Sequence, residues 1–149
     1  MGEQLINDVL ITRQKVIPVE GGNVMHGIKA TDLGYEGFAE AYFSMAEHGA
    51  VKGWKRHREM TLNLIVPIGS IRFVLFDDRP DSQTNNVFQE IVLSPNNYKR
   101  LTVPPMIWLA FQGFSHDMSM LLNVANTPHD PDEADKKKLD EIEFDWGVI

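Results

Sequence analysis

The chain has 149 residues, a net charge of −7 and no cysteine, so disulfides and thiolate metal sites are excluded. That length suits one domain over residues 1–149, able to bury about 70% of its unfolded surface, and the acidic balance argues against a nucleic-acid partner. No apolar run is long enough to span a membrane, and Met1 to Leu10, which carries Glu3 and Asp8, does not read as a signal peptide, so a soluble, cytoplasmic protein is expected.

Residues 5–19 read as one or two short strands carrying Val9, Ile11, Val16, Ile17 and Val19, closed by a Gly21-Gly22-Asn23 turn. A loop runs through Asp32, Gly34 and Gly37. Strands are then expected over 38–44, 50–58, 60–66 and 71–76, with turns at His48-Gly49 and Pro67–Ser70. A polar loop over 77–86 leads to strands at 88–93, 100–103, 107–111 and 118–125, with Pro104-Pro105 as an interruption. Short strands separated by turn signals indicate an all-β sandwich or barrel, not a parallel α/β sheet. The tail changes character: Asp130-Pro131-Asp132-Glu133 has the pattern of a helix start, which predicts a short C-terminal helix through about Leu139.

Charge is unevenly spread. Lys52, Lys55, Arg56, His57 and Arg58 crowd into residues 52–58, while the acidic excess lies mostly between Asp130 and Asp145. On a strand, Lys55 and His57 share one face about 7 Å apart, with Arg56 and Arg58 on the other. Arg72 and Asn63 come from strands placed to line the same interior, and His129 follows Pro128 near the pocket lip. Trp54 and Trp108 read as core, Phe144 and Trp146 as anchors for the tail, and Asp77 with Arg79 as a pair across a turn. His26, His48 and His116 fall in loops or turns and read as surface residues.

The segment Gly49 to Gly69 resembles the frame of metal-binding cupins, in which glycines bracket a His-x-His and a Glu that reach a metal inside the barrel. Here the ligand positions hold Lys55, His57 and Leu62. The second cupin motif, Pro-x-Gly-x-x-His, falls on Pro104, Met106 and Leu109. Of the four ligand positions only His57 keeps a metal-binding side chain, so no metal and no cofactor are expected. The implied fold is a cupin-type antiparallel β-barrel, or jelly roll.

Further motifs point to one metal-free branch. Asp77-Asp78-Arg79-Pro80-Asp81-Ser82-Gln83-Thr84, Val92-Leu93-Ser94-Pro95-Asn96-Asn97, Thr102-Val103-Pro104 and Lys52-Gly53-Trp54-Lys55 follow in order between Phe38 and Pro131. Together they resemble the dTDP-4-dehydrorhamnose 3,5-epimerase family and the related sugar-nucleotide 3,4-ketoisomerases. The resemblance implies a homodimer acting on a nucleotide sugar by proton transfer beside a ketone, in deoxysugar or cell-surface polysaccharide biosynthesis. It implies that Lys52 stands where an Arg binds phosphate, Glu40 where a Gln contacts substrate, and Lys55 where a His acts as base. Asn123 takes the position of the Tyr acid, and Leu109 that of a further His. The usual base and acid are therefore both replaced, and Lys55 and His57 become the catalytic candidates. Glu40, Lys52, Asn63, Arg72, Asn123 and His129 are the candidate substrate-binding residues.

Plain structural roles stand beside these. His57 also reads as a hydrogen-bonded barrel histidine, Lys55 as a solvated surface lysine, and the basic cluster as a charged strand edge. Two rival functions remain open: a binding module that has lost catalysis, and a small-molecule-binding cupin of unrelated role.

Overall fold

In the computed structural model, residues 5–147 are described; Met1 to Gln4, part of the segment weighed above as a leader, and Val148-Ile149 lie outside them. Among the described residues twelve strands run in chain order: β1 Leu10–Arg13, β2 Val16–Ile17, β3 Val24–Met25, β4 Glu40–Ala46, β5 Val51–His57, β6 Leu62–Ile68, β7 Ile71–Phe76, β8 Phe88–Leu93, β9 Lys99–Val103, β10 Trp108–Gly113, β11 Ser119–Ala125 and β12 Ala134–Lys136. One five-stranded sheet has the order β1-β9-β6-β11-β4, the other β12-β5-β10-β7-β8, and β2-β3 form a separate hairpin. Each pairing between these twelve strands is antiparallel. The two large sheets face each other as a jelly roll of the cupin type.

Alternation decides what each sheet turns inward. On β7, Ile71, Phe73 and Leu75 enter the core between the sheets, while Val74 joins a second cluster on the outer face. That second cluster holds Trp54, Trp108, Ala110 and Ile142, with Phe76, Phe144 and Trp146 packed on it. Both faces of β7 are thus covered, which is why Ile71–Phe76 is an almost unbroken apolar run. The connection from β6 in one sheet to β7 in the other turns through Gly69, whose φ is +81°. A Cβ there would lie 2.3 Å from the Ser119 hydroxyl, which both accepts from Ser70 N and donates to Ser70 O. Backbone conformation and crowding together require glycine.

The loop after β7 is fixed by a buried carboxylate. Asp77 accepts from the Arg79 guanidinium, from the hydroxyls of Ser82 and Thr84, and from Arg79 N. Burial alone would push this carboxyl upward, but those hydrogen bonds outweigh it and hold the pKa far below the usual carboxylate range. The expected turn pairing of Asp77 with Arg79 is present.

The C-terminal helix is not formed. Asp130 does cap a turn, accepting from Asp132 N at 3.0 Å, but the turn is a single 3₁₀ turn, Pro131–Glu133. The chain then extends as β12 and pairs with β5 in the register Ala134↔His57, Asp135↔Arg56, Lys136↔Lys55. A second 3₁₀ turn follows at Leu139–Glu141. The local cap signal loses to the open edge of β5, which offers backbone partners. The edge also offers charge: Arg56 donates to Asp135 at 2.8 Å, and Arg58 pairs with the same carboxylate. The tail then lays Phe144 and Trp146 on Trp54 and Phe88, as anchors. No helix among the described residues is long and apolar enough to cross a membrane.

Candidate functional site

Between the sheets lies a cavity of about 280 Å³, with Tyr42 and Ser44 on β4, Lys52, Lys55 and His57 on β5, and Asn123 on β11 as its polar lining. Its apolar walls are Leu62, Leu64, Leu109, Phe111 and Leu121. A mostly apolar cavity with a few convergent polar groups is the usual form of a small-ligand site.

Strand β5 builds most of the chemistry. Lys55 and His57 point inward at a spacing of two, while Arg56 points outward. There Arg56 bonds Asp78 and Asp135 and stacks over Trp108 with its guanidinium 4.7 Å from the ring centre. Strict alternation would also turn Lys52 outward. The pairing with β10 shifts between Leu109↔Lys55 and Phe111↔Lys52, so β5 carries an extra residue there. This bulge returns Lys52 to the cavity side. Its ammonium donates to the Ser44 hydroxyl at 3.2 Å and lies 5.7 Å from the Phe111 ring centre.

His57 is buried and its Nδ1 lies 2.7 Å from Glu133 Oε1. The second carboxylate oxygen of Glu133 accepts from the backbone N–H groups of Glu59 and Met60, both at 2.9 Å. Burial pushes the Glu133 carboxyl up, but bonds from His57 and those two amides hold it below the ordinary value. Glu133 is therefore a fixed acceptor for Nδ1–H, and this tautomer leaves a lone pair on Nε2. Met106 N donates to His57 O at 2.7 Å, so the backbone of the histidine is held too.

Across the cavity, the Asn123 amide donates to the Tyr42 hydroxyl at 3.0 Å and its carbonyl accepts from Asn63 N. Lys55 is half-buried, and desolvation lowers its ammonium pKa, with Lys136 adding to the effect and Glu133 opposing it. Among the described residues no group of three His, Asp or Glu side chains is placed to hold a metal ion.

Lys52, Lys55, His57 and Asn123 thus meet at one cavity, and four other candidates lie elsewhere. Asn63 is turned away because Leu62 and Leu64 take the inward positions of β6; its side chain bonds Gly34 O, Arg100 and Thr102 outside the barrel. Arg72 is likewise outward, since Ile71 and Phe73 point in. It pairs with Glu90, donates to Trp146 O and packs on Phe144 and Trp146, clamping the tail. Glu40 accepts from His129 N at 2.8 Å at the start of β4, and neither side chain lines the cavity. Tyr42, Ser44 and Glu133 were not among the sequence candidates. Tyr42 and Ser44 share a face of β4 at spacing two, a signal the sequence does contain. Glu133 reads as the third position of the expected helix start, and its bond to His57 spans 76 residues.

Fold and cavity together define a jelly roll with a histidine, a lysine and a phenol gathered in one pocket. The chain belongs to the WxcM-like, C-terminal family (FdtA), whose model matches residues 9–142. It is 32% identical to the dTDP sugar isomerase of Desulfovibrio desulfuricans G20, with a TM-score of 0.88 over 91% of this chain and 87% of that one. It is 27% identical, over 90% of its length and 87% of the relative's, to the probable low-salt glycan biosynthesis epimerase Agl13 of Haloferax volcanii. The fold is also that of the dTDP-4-dehydrorhamnose 3,5-epimerase of Bacillus anthracis, solved with TDP and PPi bound. That match has 19% identity and a TM-score of 0.86, over 99% of this chain and 89% of the other.

Proposed function

We propose that this protein is a sugar-nucleotide isomerase of the epimerase or ketoisomerase type, acting in glycan or polysaccharide biosynthesis. Its substrate is a nucleoside diphosphate sugar with a ketone in the ring, and the reaction moves a proton on a carbon beside that ketone. The observation that carries this reading is the buried His57–Glu133 pair at the wall of a cavity that also holds Lys55 and Tyr42.

In this reading His57 Nε2 takes the proton, and Glu133 stabilises the imidazolium that forms. Lys55, on the same wall of the cavity as His57, meets the ketone. Tyr42, tied to Asn123, faces the base from the opposite sheet and returns a proton from the other side of the ring. Lys52, at the cavity mouth, receives the diphosphate as a point charge. Glu40, Asn63, Arg72 and His129 have no part in it. The names of the relatives support catalysis over a silent binding module.

Incubation with a dTDP-4-keto-6-deoxyhexose, followed by NMR of the nucleotide sugar, tests the proposal. A new stereoisomer or a shifted ketone is expected. Substrate that binds, raising the melting temperature, yet is recovered unchanged would favour the binding module.

The expected cytoplasmic homodimer belongs to the same reading. Its support is β4, an edge strand whose Phe43 and Met45 are exposed and which carries Tyr42 into the cavity. Sedimentation at micromolar concentration reports the assembly, and a monomer would remove it.

A further inference from the structure

We infer that Lys55 meets the ketone covalently, as an amine that forms an imine with the carbonyl carbon of the substrate. This chemistry presupposes a ketone-bearing ligand and so rests on the isomerase reading of the cavity.

Four features of the site carry it. The Lys55 side chain projects among Leu62, Leu64, Leu109, Phe111 and Leu121, a wall that solvates an ammonium poorly. Among the described residues its Nζ has neither an ion pair nor a hydrogen bond, whereas Lys52 bonds Ser44, and Arg56, Arg58, Arg72 and Arg79 all pair with carboxylates. The residue directly opposite on β12 is Lys136, in register with Lys55. Two like charges at facing positions on neighbouring strands repel, and the neutral amine relieves that repulsion. A lysine beside a second cation in an apolar pocket is the setting that activates the amine as a nucleophile. The fourth feature is His57, one position along the same face and held by Glu133, where it can serve an imine as readily as a ketone.

The steps balance without an outside oxidant or reductant. The Nζ lone pair attacks the ketone carbon, and the C–O π electrons move to oxygen. A proton taken up from solvent converts the carbinolamine hydroxyl to water, which leaves as the nitrogen lone pair forms the C=N bond of a protonated imine. His57 removes the proton from the adjacent carbon; the electron pair of that C–H bond forms a C=C bond, and the π pair of the C=N bond moves to nitrogen to give an enamine. The Tyr42 hydroxyl donates a proton to carbon, which regenerates the protonated imine. Water adds, the C–N bond breaks, and the free amine and the ketone are restored as the imine proton returns to solvent; the proton on His57 passes through solvent to the Tyr42 phenolate. The protonated imine withdraws electrons more strongly than a ketone held by one ammonium. That makes the step accessible to a histidine base.

Trapping with sodium cyanoborohydride distinguishes this from non-covalent catalysis. The wild-type enzyme, incubated with a dTDP-4-keto-6-deoxyhexose and the hydride donor, should gain the mass of the reduced adduct on the peptide carrying Lys55 and lose activity with it. Lys55→Arg should abolish both the adduct and exchange of ring protons with solvent, while keeping the thermal shift given by dTDP. His57→Asn should still be trapped but should not exchange. Exchange by the wild type with no adduct, or exchange retained within threefold by Lys55→Arg, overturns the imine and leaves the isomerase reading intact. Neither exchange nor adduct in the wild type overturns both.

Discussion

Glu133 illustrates what one side chain contributes. One of its oxygens meets His57, and the other is held by two backbone amides. In Glu133→Gln the oxygen keeps the amides, and the NH₂ group turns to Nδ1, which must then accept. The proton moves to Nε2 and the base is lost in its working tautomer. We expect kcat to fall about 10- to 100-fold with KM little changed, and Glu133→Asp to recover part of the loss; a fall confined to KM would contradict the assignment. Asp77 works at the same scale but for stability. Folding lowers its pKa, so its contribution is complete above the unfolded carboxylate value of about 4 and is lost as pH falls below that toward the folded value. Asp77→Ala should cost about 3 kcal/mol by leaving Arg79 without its partner, and should flatten the acid limb of stability measured by urea titration across that window. At this scale the sequence was legible where alternation was kept. Lys55 and His57 face inward as spacing two requires. Asn63 and Arg72 were misplaced because their apolar neighbours, Leu62, Leu64, Ile71 and Phe73, already claim the inward face.

Among the elements, β5 brings Lys52, Lys55 and His57 to the cavity, and the turn that leads into β12 brings Glu133 to His57. The expected bounds of the strands at 71–76 and 88–93 are those observed, since both begin and end at clear turn chemistry. The tail was not legible in the same way. Its Asp-Pro-Asp-Glu signal is local, whereas the pairing that replaces the helix depends on an open strand edge more than 70 residues earlier in the chain, as the Arg56–Asp135 bond shows. The bulge in β5 that returns Lys52 to the cavity also escapes a period-two reading, because it is set by the register with β10. Reversing the charge that seats β12 tests the coupling: Asp135→Lys faces Arg56 and Arg58 with a third cation. It should speed hydrogen exchange in residues 134–137, loosen Glu133 and lower activity, while β7 and β8 keep their protection. Unchanged exchange in β12 would show that backbone pairing and the Trp54–Trp146 contact seat the tail without those charges.

The whole molecule is a barrel of two antiparallel sheets with a partly polar cavity between them. The fold was legible because short strands and turn residues recur along the chain, and because glycines such as Gly69 sit where only glycine fits. The cavity was half legible: β5 supplied its lysine and histidine, but the carboxylate and the phenol come from β12's leading turn and from β4, brought together only by the tertiary fold. In the proposed reaction His57 and Tyr42 move a proton on a carbon beside a ketone. Deuterium uptake tests it most directly. A dTDP-4-keto-6-deoxyhexose incubated in deuterated water should gain deuterium next to its ketone with the wild-type protein. His57→Asn should reduce the rate by about 1000-fold. Tyr42→Phe should permit exchange through His57 but slow formation of the isomerised product. Exchange that persists at the wild-type rate in His57→Asn would contradict the account.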